Sequence, residues 1–143
     1  MEKELQGRIG IVTGGSSGIG YAIANTLAEA GATVYVISRT GGEKKGLEPN
    51  REGVIHTIGD VTHFEEMRSL VNAIASREGL DFLVNNAGIT KKCRAEEFPM
   101  EDFERILNVN VTSIFALCQS AYPYLKASQH KGRIINISSM AAH

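Results

Sequence analysis

The residues best suited to chemistry stand directly after short apolar runs. The first group is Thr13-Gly14-Gly15-Ser16-Ser17-Gly18-Ile19-Gly20, which follows the run ending Ile11-Val12. Gly14, Gly18 and Gly20 fall where a tight turn, a closely approaching pyrophosphate and close helix packing each exclude a Cβ atom. A helix starting near Gly18 would aim its unpaired N–H groups and the positive end of its dipole at such a phosphate. No Lys-Ser/Thr pair follows the last glycine, so the turn is not a P-loop, and its spacing also departs from G-x-G-x-x-G. Further groups close later runs: Ser38-Arg39-Thr40, Asp60-Val61, Asn85-Asn86-Ala87-Gly88 and, at the end, Ser138-Ser139.

The elements that must position these groups alternate. Arg8–Gly14, Ala32–Arg39, Val54–Gly59, Leu80–Gly88 and Gly132–Ser139 read as strands, and stretches of helical period separate most of them. After the first strand Ile19, Ala22, Ile23, Leu27 and Ala30 are expected on one inward helix face, with Gly31 as the C-cap. The polar stretch from Thr40 to Gly53 has room for only a short helix. His63 to Glu78 is amphipathic with Phe64, Met67, Leu70, Val71 and Ile74 inward, and Phe103 to Leu125 is mostly helical. The apolar stripe of that last helix, through Ile106, Val109, Ile114, Leu117, Ala121 and Leu125, is wide enough to predict burial on more than one side. The class is therefore α/β, an open doubly wound parallel sheet whose ligands bind outside the carboxyl ends of the strands.

Composition excludes several alternatives. The 143 residues are 43% hydrophobic and 22% charged, enough for one buried core. A net charge of -1 gives no field to draw the chain onto nucleic acid or an anionic membrane, and no apolar segment is long enough to span a bilayer. A cytoplasmic protein is expected. Cys93 and Cys118 have no metal-ligand spacing, and His56, His63, His130 and His143 are scattered, so no metal site is expected and the histidines are taken as surface or loop residues.

Thr13 through Gly20 match TGxxxGxG, and the sequence resembles the short-chain dehydrogenase/reductase family over its whole length. The resemblance implies a Rossmann-like sheet of order 3-2-1-4-5. It also places Asp60-Val61 at the adenine ring, Asn86-Ala87-Gly88 beside the cofactor, Asn110 at the helix asparagine of the catalytic tetrad and Ser139 at the catalytic serine. Asn110 would hold a proton-relaying water, and Ser139 would hydrogen-bond the oxygen of a carbonyl or alcohol substrate as hydride passes to or from the nicotinamide. A carboxylate ending strand two would favour NAD(H); here Ser38-Arg39-Thr40 stands instead. Arg39 can take a 2′-phosphate bidentately, so NADP(H) is expected to be preferred, with NAD(H) possible. Family members form dimers and tetramers, partly through the helix carrying Asn110.

The family's Tyr-x-x-x-Lys, the proton donor and the lysine that lowers its pKa, should begin about a dozen residues past Ser139, whereas the sequence stops at His143. A fragment of an enzyme of roughly 250 residues is expected, able to bind dinucleotide weakly but inactive alone; a natural short binding module is the alternative. Tyr122 and Lys126 have the right spacing, but they precede the serine strand, and their helix ends at the wrong edge of the sheet. Lys91, Lys92 and Arg94 cluster after the fourth strand, either as a solvated loop or as a lure for an anionic substrate.

Overall fold

The structure, a computed structural model, describes residues 3–139. Its sheet has the order β3-β2-β1-β4-β5, built from β1 (Ile9–Thr13), β2 (Thr33–Ser38), β3 (Val54–Ile58), β4 (Phe82–Asn85) and β5 (Arg133–Asn136). Every neighbouring pair is parallel. The central strands are unbroken apolar runs because both of their faces are covered. Val12, Val34, Val36 and Val84 pack with Ala24 and Ala28 of α1 (Gly18–Glu29), whereas Ile11, Ile37 and Leu83 pack with α2 (Phe64–Glu78) and α4 (Ser113–Lys126) on the other side. This is the expected doubly wound sheet in the expected order.

Local details depart from the sequence reading in four places. The buried line of α1 is Gly20, Ala24 and Ala28, not a stripe led by Ile19 and Ala22. Small residues let the helix lie close on the sheet, and Ile19 stays 64% exposed. The helix closes as foreseen: Gly31 donates its amide to Ala28 O at 2.9 Å and Ala32 donates to Leu27 O at 3.1 Å, a Schellman arrangement. The stretch from Thr40 to Gly53 holds no helix at all. The last helical stretch is longer and broken: α3 (Met100–Leu107) runs through a π turn at Asn108–Thr112 into α4. Its inner residues Val109, Leu117, Ala121 and Leu125 are buried, and a second apolar face through Phe103, Leu107, Val111, Phe115 and Tyr122 is exposed.

His56 is the fourth departure. It lies on β3 with a side chain only 14% exposed, bonded within the fold, so it is not a surface histidine. His63 and His130 are exposed, and His143 lies outside the described residues. At the far edge all four residues of β5 are exposed, because β4 pairs with one side of the strand only.

Candidate functional site

A cleft of about 710 Å3 opens where β1, β2, β3 and β4 end, at the carboxyl edge of the sheet. Its floor is the turn from β1 into α1. Gly18 has φ +57°, a conformation that side chains resist, and a Cβ on Gly20 would stand 2.3 Å from Asn86 Nδ2 and 2.4 Å from Gly14 O. Ser17 precedes α1 without capping it through its side chain, and the first turn carries no acidic residue. The positive end of α1 is thus left for another anion. Gly14, Ser16, Ser17 and Ile19 line the cleft, while Gly15 packs against Val36 and shapes the turn from behind.

The ends of β1 and β4 are locked to each other. Buried Thr13 accepts the amides of Asn86 and Ala87 on Oγ1, both at 3.0 Å. Asn86 returns two bonds from Nδ2, to Thr13 O and Gly14 O at 3.1 Å each. Asn86, Ala87 and Gly88 therefore line the cleft on a fixed backbone. On the other flank stand Ser38 at the end of β2, Arg39 and Thr40 after it, and Asp60 and Val61 after β3. Asp60 Oδ1 accepts the Thr62 hydroxyl at 2.7 Å and the Thr62 amide at 2.9 Å. These bonds, the hydroxyl first, hold its carboxyl below the ordinary range; partial burial opposes them, and His63 and Arg39 assist. Among the described residues Arg39 makes no ion pair.

The two expected catalytic residues stand off the cleft lining. Asn110 sits in the π turn, where its Oδ1 accepts the Ile89 amide at 2.9 Å and its Nδ2 donates to Ile89 O at 2.8 Å. The bulged helix is thus latched to the loop after β4. Ser139 follows β5 by three residues and is exposed. The end of β5 is held by Asn85 Nδ2, which donates to Asn136 Oδ1 at 2.9 Å. Tyr122 and Lys126 lie elsewhere, beside Leu125, Gly132 and Ile134 where β5 begins, with the ammonium 6.0 Å from the tyrosine ring centre. That is the amino edge of the sheet, opposite the cleft.

Some lining residues escaped the sequence reading. Thr62 had a local signal, an Asp-x-Thr turn in which the aspartate bonds its own backbone two residues on. Glu101, Arg105, Asn108 and Val109 reach the cleft from α3 and the π turn, and only the packing of that helix puts them there. Within the Lys91, Lys92 and Arg94 cluster Asp102 offsets the charge of Lys91, which hydrogen-bonds it and whose pKa it raises. Among the described residues no group of His, Cys, Asp and Glu could hold a metal ion, and no helix is long and apolar enough to cross a membrane.

Comparisons with known proteins agree with this geometry. The family model for short chain dehydrogenase matches residues 8–143. The 3-oxoacyl-(acyl-carrier-protein) reductase FabG of Aquifex aeolicus is 36% identical over 149 residues, covering 98% of this chain and 58% of that protein. A short-chain dehydrogenase/reductase from Serratia marcescens superposes with a TM-score of 0.81 at 35% identity, covering 97% of this chain and 61% of that one. A protein described as an NAD(P) dependent gluconate 5-dehydrogenase from Beutenbergia cavernae, with NADP bound at low occupancy, gives 0.80 at 32% identity over 98% of this chain and 57% of that one. The chain spans a little over half the length of these proteins. With the glycine turn, the β1–β4 lock and the order of the sheet all in place, the chain belongs to the short chain dehydrogenase family.

Proposed function

We propose that the chain binds a nicotinamide dinucleotide in the cleft, NADP(H) in preference to NAD(H), as the cofactor-holding part of an oxidoreductase acting on a small carbonyl or alcohol. The observation that carries this reading is the floor of the cleft, where an uncapped helix N-terminus meets a turn with no room for a Cβ at Gly20. The bound dinucleotide supplies or accepts hydride at the nicotinamide ring. Ser16 and Ser17 line the pyrophosphate turn, Asp60 and Val61 receive the adenine, and Asn86 to Gly88 line the path toward the nicotinamide. Arg39 takes the 2′-phosphate. Ser139 holds the reacting oxygen of the substrate, and Asn110 steadies the neighbouring loop and a relay water. The relatives' names, a 3-oxoacyl reductase and a gluconate dehydrogenase, support this substrate class.

A proton donor is the remaining requirement. No Tyr-x-x-x-Lys follows Ser139 within the 143 residues, and Tyr122 with Lys126 lies at the other edge of the sheet. The 143-residue chain is therefore a binder without turnover, since loss of a positioned general acid costs about 10²- to 10⁴-fold in rate. In the active protein this unit works as a soluble cytoplasmic homodimer or homotetramer. The test of cofactor choice is a paired titration with NADPH and NADH. NADPH binds more tightly, and Arg39→Ala narrows the gap by about tenfold or more, as expected for a lost charge-assisted hydrogen bond. Equal affinities in the unmutated chain would contradict it.

A further inference from the structure

The loop from Gly41 to Gly53 has no regular structure, yet it is tied down along its length. At its start Gly41 donates its amide to Ser38 Oγ at 3.3 Å and Thr40 Oγ1 donates to Gly42 O at 3.3 Å. The Lys44 amide donates to Ser16 O at 2.7 Å. The loop thereby bridges the end of β2 and the glycine turn, both of which line the cleft. Farther on, Tyr21 donates its hydroxyl to Glu48 O at 2.6 Å, and Arg51 pairs with Glu29 at 2.7 Å.

The direction of the remaining hydrogen bonds is set by the backbone. The Arg51 amide can only donate, and it donates to Asn25 Oδ1 at 2.7 Å. Asn25 Nδ2 then faces the other way and donates to Tyr21 O and Asn50 Oδ1, both at 2.9 Å. With its oxygen so occupied, Asn50 turns Nδ2 to Glu43 Oε2 at 2.8 Å and to His56 Nε2 at 2.6 Å. An amide nitrogen cannot accept, so in this arrangement His56 Nε2 must, which leaves the ring proton to Nδ1, a buried atom without a hydrogen-bond partner among the described residues. A proton gained on Nε2 sets two donors face to face. The group it would turn to is Glu43, whose Oε2 lies 3.8 Å from Nε2. β2 sets Val36 beside His56, and Tyr21 and Glu29 of α1 are each bonded to the loop, to Glu48 O and to Arg51. The remaining loop charges, Lys44, Lys45, Glu48 and Glu52, are exposed.

We propose that Asn25, Asn50 and His56 form a clasp that positions this loop beside the 2′-phosphate end of the cleft, engaged while His56 Nε2 accepts from Asn50 and loosened at the Asn50–Arg51 end when that atom carries a proton. The functional half of the proposal rests on the cofactor reading above; the clasp itself does not. On acidification, affinity for a 2′-phosphorylated adenosine falls further than affinity for one without that phosphate.

The test titrates the 143-residue chain with adenosine 2′,5′-bisphosphate and adenosine 5′-monophosphate from about pH 8 to about pH 5.5. It compares the unmutated protein with His56→Gln, which keeps an acceptor for Asn50 but cannot be protonated. Ionisation of the ligand's own phosphates is common to both proteins and cancels. The ratio of the two affinities falls about three- to tenfold more in the unmutated protein, the effect of one lost hydrogen bond. Identical pH profiles would overturn the proposal. Amide hydrogen exchange at matched pH reads the clasp without any ligand: Arg51 loses protection on acidification in the unmutated protein and keeps it in His56→Gln. Equal loss in both would overturn the clasp, whereas an exchange difference without nucleotide binding would overturn the cofactor reading alone. Asn50→Ala is the second variant, with low Arg51 protection at every pH; protection that still varied with pH there would also contradict the clasp.

Discussion

Asp60 shows how a side chain is prepared by its immediate surroundings. Its carboxyl is lowered chiefly by the Thr62 hydroxyl, and a lowered carboxyl stabilises the fold above its unfolded pKa of about 3.9 and loses that contribution as pH falls through the folded value. Thr62→Val keeps the shape and the amide bond but removes the hydroxyl. In that variant Asp60 titrates at higher pH, and acid unfolding starts at higher pH; carboxyl-detected NMR titration measures it, and an unchanged Asp60 midpoint would contradict the assignment. At this scale the sequence was legible wherever local backbone chemistry sufficed. Gly14, Gly20, Arg39 and Asp60 could be singled out because a turn after a strand puts its residues at the mouth of the sheet. Arg105 and Glu101 could not, because their presence in the cleft depends on how a whole helix packs. The burial of His56 was hidden for the same reason: its partner Asn50 is held by Asn25, far away on α1.

The strands were the easiest elements to read, since a parallel strand covered on both faces needs an unbroken apolar run. Helix α1 was harder. Hydrophobicity pointed to Ile19, but proximity decided the packing, and the residues that let α1 touch the sheet are the smallest it has, Gly20, Ala24 and Ala28. The π turn at Asn108–Thr112 carried no sequence signal beyond an asparagine pair; its consequence is the pair of hydrogen bonds between the Asn110 side chain and the backbone of Ile89. Asn110→Ala leaves the Ile89 amide and carbonyl without those partners, which costs about 1–3 kcal/mol. Urea denaturation measures that loss, and faster exchange of the Ile89 amide accompanies it. A variant as stable as the unmutated chain would show that the latch contributes nothing.

At the scale of the molecule, the side of the sheet that ends in β5 is the exposed one. Ile134, Ile135 and Ile137 are exposed there, and the outer face of α3 and α4 adds Phe103, Leu107, Val111 and Phe115. An apolar face of this kind drives association. Phe115 is 69% exposed, so its replacement by glutamate removes little buried surface. Phe115→Glu therefore reduces self-association of the chain in light scattering at micromolar concentration while leaving its circular dichroism unchanged; identical scattering would place the sticky surface elsewhere. The cofactor cleft opens at the carboxyl edge of the sheet. We propose that a dinucleotide binds at the carboxyl edge of the sheet and nowhere else on the chain. Residue-resolved amide NMR of the 143-residue protein titrated with NADPH tests this most directly. Shifts are expected at Gly14, Ser16, Arg39, Asp60 and Ala87, none at Tyr122, Lys126 or Gly132, with no oxidation of NADPH when a ketone is added. Shifts centred on Tyr122 and Lys126, or turnover abolished by Tyr122→Phe, would contradict it.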